Sequence, residues 1–386
     1  MEPRRIGRFL FWLMVTQAPL PVSADNWSAL ERYQQTITRA QFDKLVSHVY
    51  SPTGALTNYL AFTSNSLAVY STPAKTNSPL FRLHFCEISF PSPRIPKSLR
   101  GMRVALDPGH IGGEWARMEE RFFVRNGGHP VQEAALNLTV ARLLKQRLEA
   151  AGVLVSLTKN DYQPVTDKRP EDFRTQAESE ITGIPDDATR ADAVRKRQEQ
   201  LFYRSAEIAA RARRINDQLK PDLTICIHFN AVEWNQCHDL VDDNRLVVFV
   251  HGNYLDNELV DDGQKFRLFA KLLERSYAVE LSVAEALASS LARATKLPPV
   301  EYGLNGGAVR VGTNAYVFAR NLAANRLVNG PVVYLEPYYM NNRTVYERIQ
   351  LGDYEGMREI DGRSYKSIFR EYADAVADGL RAACGR

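Results

Sequence analysis

A chain of 386 residues is long enough for one large domain with a smaller companion, and too long for a single compact core. Its 49 basic and 45 acidic residues nearly cancel, giving a formal net charge of +4. That balance excludes binding to nucleic acid through a broad phosphate-neutralising face.

The first elements concern targeting. Arg4, Arg5 and Arg8 precede an apolar run over residues 9–15, and Val22-Ser23-Ala24 offers the small-residue pattern that a signal peptidase cuts after. The run is too short to span a bilayer, so residues 1–24 are expected to be a removed secretory signal. The protein is then expected to be exported, periplasmic or extracellular, with no stable membrane insertion. Losing the three arginines and one glutamate of the leader lowers the net charge to +2. The four cysteines, Cys86, Cys226, Cys237 and Cys384, all lie beyond the leader. An even count in an exported protein permits disulfides, with three connectivities open; the lack of any CxxC spacing argues against a cysteine zinc site.

Residues 25–98 read as a small α+β accessory region. Helical spacing runs over 27–49, alternating strand patterns over 66–70 and 80–85, and the proline-rich stretch PSPRIPKS at 91–98 reads as a linker. From residue 99 the rhythm changes to strand, helix, strand. Strands are expected at 102–106, 153–158, 223–227, 246–250 and 332–335. Helices are expected at 130–150, 201–219, 277–295 and 364–383, and a charge-rich, partly helical insertion at 162–200. Pro130 would sit in the first turn of its helix and Gly152 just past its end. This alternation predicts an α/β domain over residues 99–386, built on a largely parallel sheet with helices on both faces.

In open α/β sheets ligands bind beyond the carboxyl ends of the strands. His110 follows the first of these strands in LDPGH, His228 ends TICIH, and Glu336 ends VVYLE. Three strands thus deliver two imidazoles and a carboxylate to one edge. The helix opening QEAALNL has its apolar stripe at Leu136, Val140, Leu143, Leu144 and Leu148. Glu133 falls on the same stripe one turn earlier, which aims its carboxylate inward, where an unpaired charge is costly and calls for a cation. His129 is the rival for that position, but Pro130 argues against extending the helix back to it. Two imidazoles and one carboxylate with an open position form the donor set of a catalytic zinc site.

These segments resemble the zinc-dependent N-acetylmuramoyl-L-alanine amidases of the type 3 family, over roughly residues 101–383. LDPGH is similar to that family's opening motif, QEAALNL to its second, DLTICIHFNA to its third, and VVYLEPYYMNN to the segment with its catalytic carboxylate. The resemblance implies a Zn2+ ion held by His110, Glu133 and His228, with Glu336 as catalytic carboxylate and Asn342 in register. It implies hydrolysis of the amide between N-acetylmuramic acid and L-alanine, peptidoglycan as the partner, and room for a protein activator that the sequence does not identify. Asp107 is expected to accept from a ligand histidine or to cap the turn. The chain departs from the family in the loop 111–129, at Phe229 and at Pro337-Tyr338, which bears on groove shape rather than on the ligands. Two alternatives stand beside this reading: an inactive wall-binding or regulatory protein, and a zinc amidase acting on another amide or peptide.

Overall fold

The computed structural model describes residues 26–88, 90–125, 127–184, 186–232, 239–303 and 307–385. The expected leader and Cys237 lie outside the described residues. Among the described residues, Cys86, Cys226 and Cys384 are free thiols.

The stretch 27–49 is not one helix. A 3-10 turn at Trp27–Tyr33 ends where Gln35 takes a left-handed φ of 58°. Helix α1 (Arg39–Leu45) then starts afresh on a capping box, in which Thr38 and Gln41 satisfy each other's backbone N–H groups. Strands β1 (Leu60–Phe62), β2 (Ser66–Val69) and β3 (Phe81–His84) form an antiparallel sheet in that order.

The larger unit follows in the order β4 (Arg103–Pro108), β5 (Phe122–Phe123), β6 (Val131–Gln132), α2 (Glu133–Ala150), β7 (Leu154–Leu157), α3 (Arg174–Glu180), α4 (Asp187–Gln200), α5 (Glu207–Arg213), β8 (Leu223–Ile227) and β9 (Leu246–His251). It continues through α6 (Asp262–Glu274), α7 (Tyr277–Thr295), β10 (Val309–Arg310), β11 (Val317–Arg320), α8 (Ala323–Leu327), β12 (Val332–Pro337), α9 (Arg343–Gln350), β13 (Met357–Ile360), β14 (Arg363–Lys366) and α10 (Ile368–Cys384). Seven strands form the central sheet in the order β10-β11-β9-β12-β8-β4-β7. β12, β8, β4 and β7 are mutually parallel. β9 runs antiparallel to β12, and β11 follows β9.

The strands read as near-continuous apolar runs because both faces are covered. On one face Ile225, Ile227, Val248, Val333 and Leu335 pack with Leu136, Val140, Leu287, Tyr372 and Val376 from α2, α7 and α10. On the other, Cys226, Val247, Phe249, Val332 and Tyr334 pack with Ala212 and Ile215 of the helical run through α5. That run is longer than residues 201–219: α4 continues into π-helical turns at Leu201–Ala206 and Arg214–Leu219 on either side of α5. Inside the insertion, Phe173, Ala177 and Val194 form a third small core with Leu201, Phe202 and Ile111.

The N-terminal sheet shares the main core rather than standing apart from it. Trp27 meets the rings of Phe266 and Phe269 on α6 at 5.5 and 6.1 Å, and Phe42 meets Phe269 at 6.0 Å. The backbone N–H groups of Asn253 and Tyr254 donate to the carbonyls of Val49 and Tyr50 at 2.6 and 2.8 Å. Among the described residues no helix is long and apolar enough to cross a membrane.

Candidate active site

Three adjacent strands, β12, β8 and β4, bring their carboxyl ends level: Leu335 pairs with Ile227, and Ile227 with Pro108. The next residues are Glu336, His228 and the pair Gly109-His110. Gly109 lets the first and third motifs close on each other, since a Cβ there would lie 1.9 Å from Cε1 of His228. The chain then turns through His110, whose φ of 63° is unusual for a residue with a side chain.

Glu133 is the first residue of α2, which starts three residues later than Pro130 suggests because Val131 and Gln132 pair with the β5 strand. Asn137, one turn on, donates to Gly109 O at 3.1 Å and ties α2 to the histidine loop. The buried Glu133 carboxylate receives His110 Nε2 on Oε2 at 3.1 Å and His228 Nδ1 on Oε1 at 2.9 Å. The two imidazoles stand with centroids 5.2 Å apart, near perpendicular. One donor atom from each of the three residues lies within 4.8 Å of the others. Tyr334 stacks on the His228 ring at 4.3 Å, and Tyr372 Oη donates to the His228 carbonyl at 3.2 Å.

Glu336 lies on the same face of β12 as Tyr334, two residues earlier, by the alternation of a strand. Partial burial, with the charge of Glu133 beside it, pushes its carboxyl up to about 7. Burial works the same way on Glu133, but the charges and hydrogen bonds of His110 and His228 outweigh it and hold that carboxyl well below the usual range. Burial alone would depress His110; Glu133 and Glu119 instead carry it up to about 9. For His228 burial wins over Glu133, and the ring titrates below its ordinary value.

Other candidates fall elsewhere. His129 is exposed and exchanges two hydrogen bonds with Gln350, at 2.6 and 3.0 Å, away from the cluster. Asn342 caps α9 by accepting from Val345 N at 3.1 Å, and donates to the carbonyls of Val241 and Asp242. Phe229 and Tyr338 stack in the core against Tyr372 of α10, so neither departure shapes a groove. The Asp107 carboxylate takes Thr158 Oγ1 and Arg211 Nη1 rather than a histidine. Two residues of the 111–129 loop went unforeseen: Arg121, whose Nε contacts Glu133 Oε2 at 3.1 Å, and Glu119, buried behind His110. A loop without periodicity carries no signal for either, beyond the general cost of burying a lone charge.

The α/β sheet thus carries, at the carboxyl edge of its parallel strands, a histidine–carboxylate cluster of the kind that could hold a metal ion. The sequence profile described as N-acetylmuramoyl-L-alanine amidase matches residues 104–360, more than half of the chain, and the chain belongs to that family. Among solved structures, Ami1 of Mycobacterium abscessus is 17% identical, with a TM-score of 0.40 over 74% of this chain and 99% of that one. Ami1 of Mycobacterium smegmatis is 15% identical, with a TM-score of 0.40 over 75% of this chain and 99% of that one. AmiC2 of Nostoc punctiforme is 15% identical, with a TM-score of 0.37 over 74% and 98%. No curated protein matches the chain.

Proposed function

We propose that the chain is a zinc-dependent N-acetylmuramoyl-L-alanine amidase that hydrolyses the amide between the lactyl group of N-acetylmuramic acid and L-alanine in peptidoglycan. Residues 99–386 would form the catalytic unit. The observation that carries the reading is the convergence of His110, Glu133 and His228, which come from three distant segments of the chain.

The donor set fits Zn2+. Two imidazole nitrogens and a carboxylate oxygen, one atom from each residue, lie within 4.8 Å of one another, and these are donor types that zinc takes in catalytic sites. A bound Zn2+ supplies Lewis acidity, polarising a carbonyl and acidifying water. The protein supplies the rest. Tyr334 fixes the plane of the His228 ring, the Tyr372 hydroxyl holds the His228 backbone carbonyl, and Asn137 fixes the turn before His110. Glu336, whose carboxyl ionises near neutral pH, takes a proton from the attacking water as oxygen bonds to the carbonyl carbon. It returns that proton to the leaving nitrogen as the C–N bond breaks. Such a substrate lies outside the cytoplasm, in keeping with a secretory leader at residues 1–24.

Incubation with purified sacculi, with and without a chelator, tests the reading. The expected products are stem peptides with a free L-alanine amino terminus, absent when the chelator is present. Glu336→Gln should keep zinc and lose about 10²–10⁴ in rate; a fully active variant would remove Glu336 from the mechanism.

A further inference from the structure

His110 stands between two carboxylates. Glu133 meets Nε2 at 3.1 Å, while Glu119, from the loop 111–129, faces Nδ1 at 3.5 Å. Glu119 is buried, with 2% of its side chain accessible. Its oxygens accept the backbone N–H of Ile111 at 2.9 and 3.0 Å and that of Gly112 at 3.0 Å. A carboxylate taking two backbone N–H groups, one of them shared between its oxygens, is an acceptor on every side, so the imidazole atom it faces is favoured as N–H. We propose that Glu119 is a positioning residue for the metal site: it keeps the His110 proton on Nδ1, so that Nε2, which meets Glu133 in the metal-free structure, is the nitrogen that would ligate. This rests on the zinc reading above. It also gives Glu119 the task that the sequence suggested for Asp107, whose carboxylate is taken up by Thr158 and Arg211.

The same side chain holds the backbone that carries the ring. His110 has a left-handed φ of 63°, a conformation that persists in a residue with a Cβ only when its surroundings enforce it. Glu119 grips the next two amides, and Arg211 of α5 grips the carbonyls of Pro108 and His110, at 3.0 and 2.5 Å. Glu119 is itself fixed, its N–H donating to Trp115 O at 3.0 Å, while the Trp115 ring packs on Phe202 at 5.1 Å. Loop 111–119 is therefore a preformed strap whose one inward charge meets a ligand histidine. Metal-binding histidines commonly donate their second ring N–H to such a carboxylate, and losing that partner weakens metal binding about 10–100-fold.

Glu119→Gln separates the two jobs. Its amide oxygen still accepts from Ile111 and Gly112, but its NH2 then faces Nδ1 and favours the tautomer with the proton on Nε2. The mature chain is stripped of metal, and zinc affinity is measured against a competing chromophoric chelator for wild type, Glu119→Gln, Glu119→Ala and His110→Ala. Both Glu119 variants should bind about 10–100-fold more weakly, with Glu119→Gln unchanged in the melting of the metal-free protein and Glu119→Ala lowered. His110→Ala should lose zinc almost entirely. If Glu119→Gln binds like wild type while His110→Ala does not, the positioning role falls and the metal site stands. If His110→Ala binds like wild type, the metal reading itself falls. Should both Glu119 variants misfold, imidazole nitrogen NMR of the zinc-loaded wild type decides: Nδ1 protonated with zinc on Nε2 supports the proposal, and the reverse overturns it.

Discussion

Glu336 occupies a place where its charge works against the metal-free fold. Its carboxyl, raised by partial burial and by Glu133, ionises near 7 against an ordinary value of 4.5. A carboxyl whose folded value exceeds its unfolded one favours folding when protonated, so stability falls as pH rises through that window. Glu336→Gln should therefore stabilise the chelator-treated protein at about pH 8, by about 1–2 kcal/mol after allowance for partial exposure, and not at about pH 4. Urea melts of both proteins at the two pH values check this, and equal shifts at both would remove the charge conflict. Gly109 is constrained by contact rather than charge. Its absent Cβ would fall 1.9 Å from the His228 ring, so Gly109→Ala must push apart the two histidine loops. A loss of about 1–3 kcal/mol is expected, together with weaker zinc uptake in a protein whose circular dichroism is preserved.

At the level of elements, the helical run from α4 to Leu219 has more than a packing role. Arg211 leaves α5 to meet Glu207 at 2.8 Å and Asp107 at 3.4 Å in a buried network. Arg211→Met would strand both carboxylates in the interior and should cost about 3–5 kcal/mol, read as a lower urea midpoint. Much of this architecture was legible. Strand ends at His110, His228 and Glu336 and the inward stripe of α2 follow from periodicity, which reports which side of an element is buried. Periodicity does not report strand direction, so the reversal of β9 was invisible. Nor does it report which turn wins a local competition. Pairing of Val131 and Gln132 with β5 delays α2 to Glu133, and the left-handed Gln35 divides the first helical stretch. Asn342 lay in register with a family motif, yet its side chain is spent on capping α9. Glu119 escaped notice because its meaning depends on a turn that only the folded loop 111–129 makes.

Over the whole molecule, the N-terminal sheet and the main sheet share one apolar interior. Removing residues 26–98 would uncover Phe266 and Phe269 on α6, where Trp27, Phe42 and Phe81 now pack. A chain beginning at residue 99 should aggregate or bind a hydrophobic dye strongly; a soluble fragment with a sharp thermal transition would show instead that the N-terminal sheet is dispensable. The site itself is spread over β4, α2, β8 and β12, and its donors lie 95 residues apart between Glu133 and His228 alone. An unfolded chain therefore holds no preformed cage for an ion, and zinc bound at the proposed site would act by mass action on the native state only. At about a hundred times the dissociation constant the ion would add about 2.7 kcal/mol. The melting temperature of this protein should then climb with the logarithm of zinc concentration, making heat resistance a readout of metal supply.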